Sequence, residues 1–158
     1  MKSLAFATLM AAMAASTAFA QAPSPSSNAA DRPINVKFQY IKWQKIMPEL
    51  GEGSPEIVIL HVDTQTQATQ LMIRVPKNFH VARHWHSANE TTTTISGAFI
   101  VQHGDDNREE LGPGSFNYMP QKTVHQGWTK PDDGALLFIT VDGAWDINWV
   151  DSSPTTKK

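Results

Sequence analysis

From residue 34 onward the chain is cut into short apolar segments dominated by β-branched and aromatic residues, at 36–40, 57–62, 70–75, 98–103, 115–119, 135–141 and 146–150. Turn-forming clusters separate them: Gly51-Glu52-Gly53-Ser54-Pro55, Gly104-Asp105-Asp106-Asn107, Gly112-Pro113-Gly114 and Pro131-Asp132-Asp133-Gly134. Short strands at this spacing, with this turn chemistry, predict an all-β sandwich or barrel. Residues 98–103 and 109–111, joined through the GDDN turn, predict a hairpin whose tip points into water. Residues 115–119 alternate, with Phe116 and Tyr118 on one face and Asn117 and Met119 on the other. No segment long enough for a helix keeps a 3.6-residue apolar period. Residues 43–50 have room for one helical turn, interrupted at Pro48. No internal repeat is visible, so residues 34–150 read as one domain.

The first 33 residues break this pattern. Residues 1–20 carry Lys2, an apolar run over 4–15 and the small-x-small Ala18-Phe19-Ala20 before Gln21, which predicts a secretory leader. The run is too short and too rich in alanine to span ~30 Å of hydrocarbon. No Arg-Arg pair precedes it, so export of an unfolded chain to the periplasm or medium is expected. Residues 21–33 (QAPSPSSNAADRP) are linker by composition, and 151–158 form a polar tail.

Composition narrows the chemistry. A formal net charge of −2 argues against nucleic-acid and anionic-membrane partners and leaves a small molecule as the expected partner. The chain has no cysteine, so an exported fold must rely on its own core, and thiolate ligands and thiol catalysis are excluded. Any metal must sit on nitrogen and oxygen.

Such a set exists. In His84-Trp85-His86-Ser87-Ala88-Asn89-Glu90 two imidazoles stand at i and i+2, on the same face of an extended strand. Ser87-Ala88-Asn89 is short and polar enough to turn the chain and return Glu90 toward the same point. A third imidazole, His125, follows in Gly114-x5-Pro120-x4-His125. Three neutral nitrogens and one carboxylate make a first shell for one divalent transition metal: iron, copper, manganese, nickel or zinc. Trp85 should face away from the site.

His84-x-His86-x3-Glu90-x6-Gly97 resembles the first motif of the cupin superfamily, and Gly114-x5-Pro120-x4-His125 is similar to the second. The resemblance covers roughly residues 55–150. It implies a double-stranded β-helix, or jelly-roll, barrel with His84, His86, Glu90 and His125 as metal ligands. By analogy it also implies a homodimer through strand edges. Three positions depart from the motifs. Asn78 stands where the first usually begins with glycine, Lys122 where the second has glycine, and Thr129 where it ends in asparagine. None is a ligand position, so the departures bear on turn geometry.

Cupins host many chemistries on one scaffold, and three readings stay open. The first is an exported oxygenase acting on an enol, diketone or flavonol-like substrate that chelates through oxygen, with Glu90 also taking a substrate proton. The second is a metal-dependent lyase or isomerase using Lewis acidity alone. Thr92 stands where some cupin lyases place a tyrosine, which counts against that subgroup. The third is a module that binds a small ligand or metal without turnover. Thr92 and Thr94 share parity with Glu90 and would make a regular strand line the cavity with hydroxyls. His61, His80 and His103 stand alone and read as surface or satisfied histidines. Arg74 and Arg83 read as solvated, and Trp128, Trp145 and Trp149 as core or interface rather than ligand clamps.

Overall fold

The computed structural model describes residues 33–150. The leader, all of the linker but residue 33, and the tail fall outside these residues. Eleven strands follow in order: β1 (Gln44–Lys45), β2 (Glu56–Val62), β3 (Thr69–Val75), β4 (His80–Trp85), β5 (Glu90–Gly97), β6 (Phe99–His103), β7 (Glu109–Leu111), β8 (Phe116–Met119), β9 (His125–Thr129), β10 (Ala135–Val141) and β11 (Asn148–Trp149). They form two antiparallel sheets, one ordered β1-β2-β3-β10-β5-β8 and the other β11-β4-β9-β6-β7. The fold is all-β, a jelly-roll barrel.

Alternation in β3 and β10 builds the core. Leu71, Ile73, Val75, Leu137, Ile139 and Val141 point inward and pack as one cluster, Leu71 being fully buried. β10 is central, paired with β3 on one side and β5 on the other. Between Ser96 and Thr94 the pairing of β5 with β10 slips by one residue at Ile95. The bulge turns the strand after Thr94. Gly97 then passes so close to β10 that a Cβ there would lie 1.9 Å from the Gly134 carbonyl oxygen. Only glycine fits, and it takes φ 73°. β6 and β7 pair as the expected hairpin.

Two strand predictions need correction. Residues 36–40 keep a strand-like alternation, yet they hold only a 3-10 turn at Phe38–Tyr40. No described strand pairs with them, and their apolar side chains are exposed. Alternation specifies two faces, but without a neighbouring edge it cannot satisfy the backbone as a strand. Of residues 146–150 only Asn148–Trp149 pair, against His84 and Trp85 of β4. The single turn expected within 43–50 lies further on, as a 3-10 segment at Pro48–Gly53 that begins on the proline, where its missing N–H costs nothing.

Candidate metal centre

Two paired strands deliver the histidines. His84 lies in β4 opposite His125 of β9, and His86 follows just past the end of β4. Their ring centroids are 4.1 Å apart for His84–His125, 5.0 Å for His84–His86 and 5.1 Å for His86–His125. One nitrogen from each lies within 4.8 Å of the others, and all three residues are buried. Trp85 lies between the two and does not line the cavity, as strand parity requires.

The backbone decides which nitrogen each ring presents. His84 Nδ1 is 2.7 Å from the Ala82 carbonyl, His125 Nδ1 2.9 Å from that of Thr123, and His86 Nδ1 2.5 Å from that of Asp146. A carbonyl only accepts, so each Nδ1 carries the proton and each Nε2 keeps its lone pair. This arrangement orients and neutralises imidazoles for metal binding. Burial, reinforced by the neighbouring His125, pushes the His84 pKa down to about 3, and burial pushes His125 down to about 4. Both rings are uncharged at neutral pH. The donor set therefore fits a nitrogen-preferring divalent ion.

Glu90 opens β5, the next strand, as the turn at Ser87-Ala88-Asn89 requires. Its Oε2 is 3.6 Å from His86 Nε2, and its Oε1 accepts from Thr92 Oγ1 at 3.3 Å. Burial raises its pKa, opposed by His86, Thr92 and Trp145. The metal-ready cluster itself comprises the three histidines, with Glu90 adjoining it through His86.

The turn that carries these groups is clamped from several sides. The Asp146 carboxylate accepts from the Ser87 N–H (2.9 Å) and hydroxyl (2.6 Å). Asp142 accepts from the Asn89 N–H (2.9 Å) and side-chain amide (2.6 Å). Asn89 Oδ1 in turn accepts from the Gln121 N–H at 3.0 Å, and the His86 carbonyl from the Lys122 N–H at 2.8 Å. The motif departures find their explanation here. Asn78 and Lys122 stand where glycine is usual, and both adopt positive φ, 54° and 62°. The backbone keeps a left-handed turn without the residue best suited to it. Thr129 fills the asparagine position. Its hydroxyl accepts from the Phe79 N–H (2.9 Å) and donates to the Pro76 carbonyl (2.6 Å).

The histidines and Glu90 form one end of a pocket that opens to solvent. The rest of its lining is mostly hydrocarbon and aromatic, including Ile73, Val75, Leu137 and Ile139 of the core, and Phe99. Phe99 reaches in because Gly127 has no side chain, since a Cβ there would lie 2.2 Å from the ring. Thr92 lines this pocket as expected. Thr94 does not; it is buried behind the wall with its hydroxyl unpartnered, so the cavity is far less polar than the threonine parity predicts.

Trp145 packs against the core cluster, as the core reading expects, but it and Trp149 also line the pocket. Trp145, Ile147 and Trp149 alternate along the segment after β10 and all line the pocket, the Trp149 ring lying tilted against His84 with centroids 5.4 Å apart. Their i, i+2, i+4 spacing was the available signal. Trp128 is elsewhere, between the His80 ring (4.9 Å) and the Arg108 guanidinium (3.8 Å). Ile46, Met47 and Pro55 supply a wall no motif marks. His80 is exposed beside Gln126, Arg83 is exposed, and Arg74 pairs with Glu56. His103 pairs in register with His125, and its Nε2 is buried without a partner.

Residues 9–148 match the family model described as "Domain of unknown function (DUF4437)". The chain belongs to this family. No curated protein matches the chain. Among solved structures it is similar to the polyketide cyclase RemF from Streptomyces resistomycificus, with a TM-score of 0.63 and 17% identity over 77% of this chain and 88% of that one. It is also similar to KdgF from Halomonas sp., with a TM-score of 0.58 and 16% identity over 70% and 94% of the two chains. A third is an RmlC-like cupin from Shewanella frigidimarina, at 0.57 and 18% identity over 69% and 89%. Identity this low speaks for the fold, and that fold is the cupin fold.

Proposed function

We propose that this DUF4437 protein is an exported mononuclear metal enzyme acting on a small, largely apolar molecule that chelates through oxygen, of the enol, diketone or flavonol type. One observation carries the reading: a buried carboxylate of raised pKa adjoins three converging neutral imidazoles at the polar end of an otherwise apolar pocket. His84, His86 and His125 would hold the ion, with Glu90 as fourth ligand. A bound transition metal supplies Lewis acidity at the chelating oxygens and, where redox-active, electrons for dioxygen. Glu90, buried beside His86, is placed to take a proton next to those oxygens. Thr92 holds its Oε1, which leaves Oε2 on the histidine side. The apolar walls receive the substrate's hydrocarbon body and keep bulk water off the exchanged proton.

Proton transfer by Glu90 serves both an oxygenase and a lyase, isomerase or cyclase. The oxygenase is the finer reading. The second is favoured by the polyketide cyclase among the proteins of similar fold. Oxygen-electrode traces with flavonols and β-diketones, on protein loaded in turn with iron, copper, manganese, nickel and zinc, separate them. Uptake coupled to substrate loss supports the oxygenase, and turnover without dioxygen supports the lyase or isomerase. Binding without turnover under both atmospheres leaves a ligand-binding module. In either enzyme Glu90→Gln should keep substrate binding and lower turnover ~10²-fold or more; unchanged turnover removes Glu90 from the chemistry. A homodimer meeting at β8, where Phe116 and Tyr118 are exposed, belongs to this reading, and sedimentation equilibrium tests it.

A further inference from the structure

The polar groups at the pocket's active end can be accounted for one at a time. The three Nδ1–H groups are spent on backbone carbonyls, and the Nε2 atoms are acceptors reserved for the ion. The Thr92 hydroxyl donates to Glu90. One buried side-chain donor without a partner remains among the described residues lining the pocket: the indole N–H of Trp145. It is buried and meets no acceptor within ordinary hydrogen-bond geometry; Glu90 is the acceptor it approaches, near enough for the N–H to favour the charged carboxylate as a long hydrogen bond would. A buried N–H left unmade is costly, so native structures rarely keep one without a use.

Trp145 is also held in place. The next residue, Asp146, accepts from His86 Nδ1 through its carbonyl and from Ser87 through its carboxylate. The ring itself packs against His86, with centroids 6.3 Å apart. The same short segment thus orients a histidine and places beside it a donor that only Glu90 approaches, at more than ordinary hydrogen-bond length.

We infer that Trp145 is a ligand-binding residue whose indole N–H donates to a carbonyl or enolate oxygen of the substrate. A carbonyl oxygen has two lone pairs, so the oxygen that faces the ion through one can accept from Trp145 through the other. The inference rests on the proposed function and narrows its substrate class: the molecule carries an oxygen acceptor at the metal end and hydrocarbon elsewhere. A hydrocarbon of the same shape would leave the N–H unmade and bind less well.

The test uses the zinc-loaded full-length protein with 1,3-diphenylpropane-1,3-dione and its oxygen-free analogue 1,3-diphenylpropane. Trp145→Phe keeps an aromatic wall and removes the donor. It should weaken diketone binding about tenfold and leave binding of the hydrocarbon unchanged. In ¹⁵N-tryptophan-labelled parent protein, the indole proton signal that disappears in Trp145→Phe should move downfield on adding the diketone and stay put with the hydrocarbon. This second readout is made on the parent protein, the variant serving only to assign the signal. Equal losses for both probes, or an indole signal insensitive to the diketone, would reduce Trp145 to a packing role and overturn the inference while leaving the proposed function standing. A parent protein that binds the hydrocarbon but not the diketone would sink the chelating-substrate reading, and this inference with it.

Discussion

The two ends of the pocket are built on different principles. At the metal end, geometry is set by hydrogen bonds to backbone: three imidazoles aimed by carbonyls, and a turn clamped by Asp142 and Asp146. At the far end, the side chains of Ile73, Val75 and Leu137 are held by packing and belong to the same cluster as Leu71. Hydrogen bonds are directional and fix an atom's position. Apolar burial is non-directional and fixes mainly stability. One end should therefore govern metal binding and the other folding, with little crosstalk between them.

The largest effect should come from breaking the apolar end. Leu71 is fully buried in the cluster, so Leu71→Ala should cost ~3 kcal/mol of unfolding free energy. Zinc affinity of the variant that still folds should stay within a few fold of the parent. Denaturant titration and zinc titration measure the two sides, and a parallel collapse of affinity would contradict the separation.

His125→Ala is the converse experiment. Disturbing a partner of a metal-bound histidine already costs 10–100-fold in affinity, so removing an imidazole should cost at least ~100-fold. The β-rich circular dichroism of the metal-free form should persist. Full metal occupancy by elemental analysis would remove His125 from the ligand set.

A pH series separates the ends more finely. The folded pKa values of His84 and His125, about 3 and about 4, lie below the unfolded value of 6.5. Between those limits the unfolded chain binds more protons than the folded one, so metal-free protein should lose stability as pH falls from about 6.5 toward 3. Glu90 acts in the opposite sense. Its raised folded pKa favours the folded state at low pH, and that contribution fades as pH rises through its folded pKa. Glu90→Gln should therefore steepen the loss of stability on acidification, and His125→Ala should flatten it. Urea midpoints at a series of pH values report both, and parallel profiles in all three proteins would refute the assignment.

The smallest effect tests the turn. Lys122 sits at φ 62°, a left-handed conformation that glycine adopts without strain. Lys122→Gly should raise unfolding free energy by about 0.5–1 kcal/mol, the relieved strain exceeding the entropy glycine adds to the unfolded chain. A loss of stability would mean that the lysine side chain contributes at this turn.

Much of the site was legible because its determinants are local. Strand parity puts His84 and His86 on one face whatever lies around them. The three-residue turn returns Glu90 by its length alone, and departures at Asn78 and Lys122 mark the backbone positions that prove left-handed. The all-β class follows in the same way from alternation and turn chemistry. What only the tertiary structure decided is which surfaces meet. Residues 36–40 alternate like a strand but find no edge among the described residues, whereas Trp145, Ile147 and Trp149 alternate just as well and close over the histidines. Ile46, Met47 and Pro55 reach the pocket from a segment far from the motifs, and Thr94, in register with Glu90 and Thr92, is buried outside its lining. A side-chain pattern records which residues share a face. The neighbour that covers that face is chosen by contacts between strands distant in sequence, and it is this choice that made the pocket apolar and left the Trp145 N–H inside it.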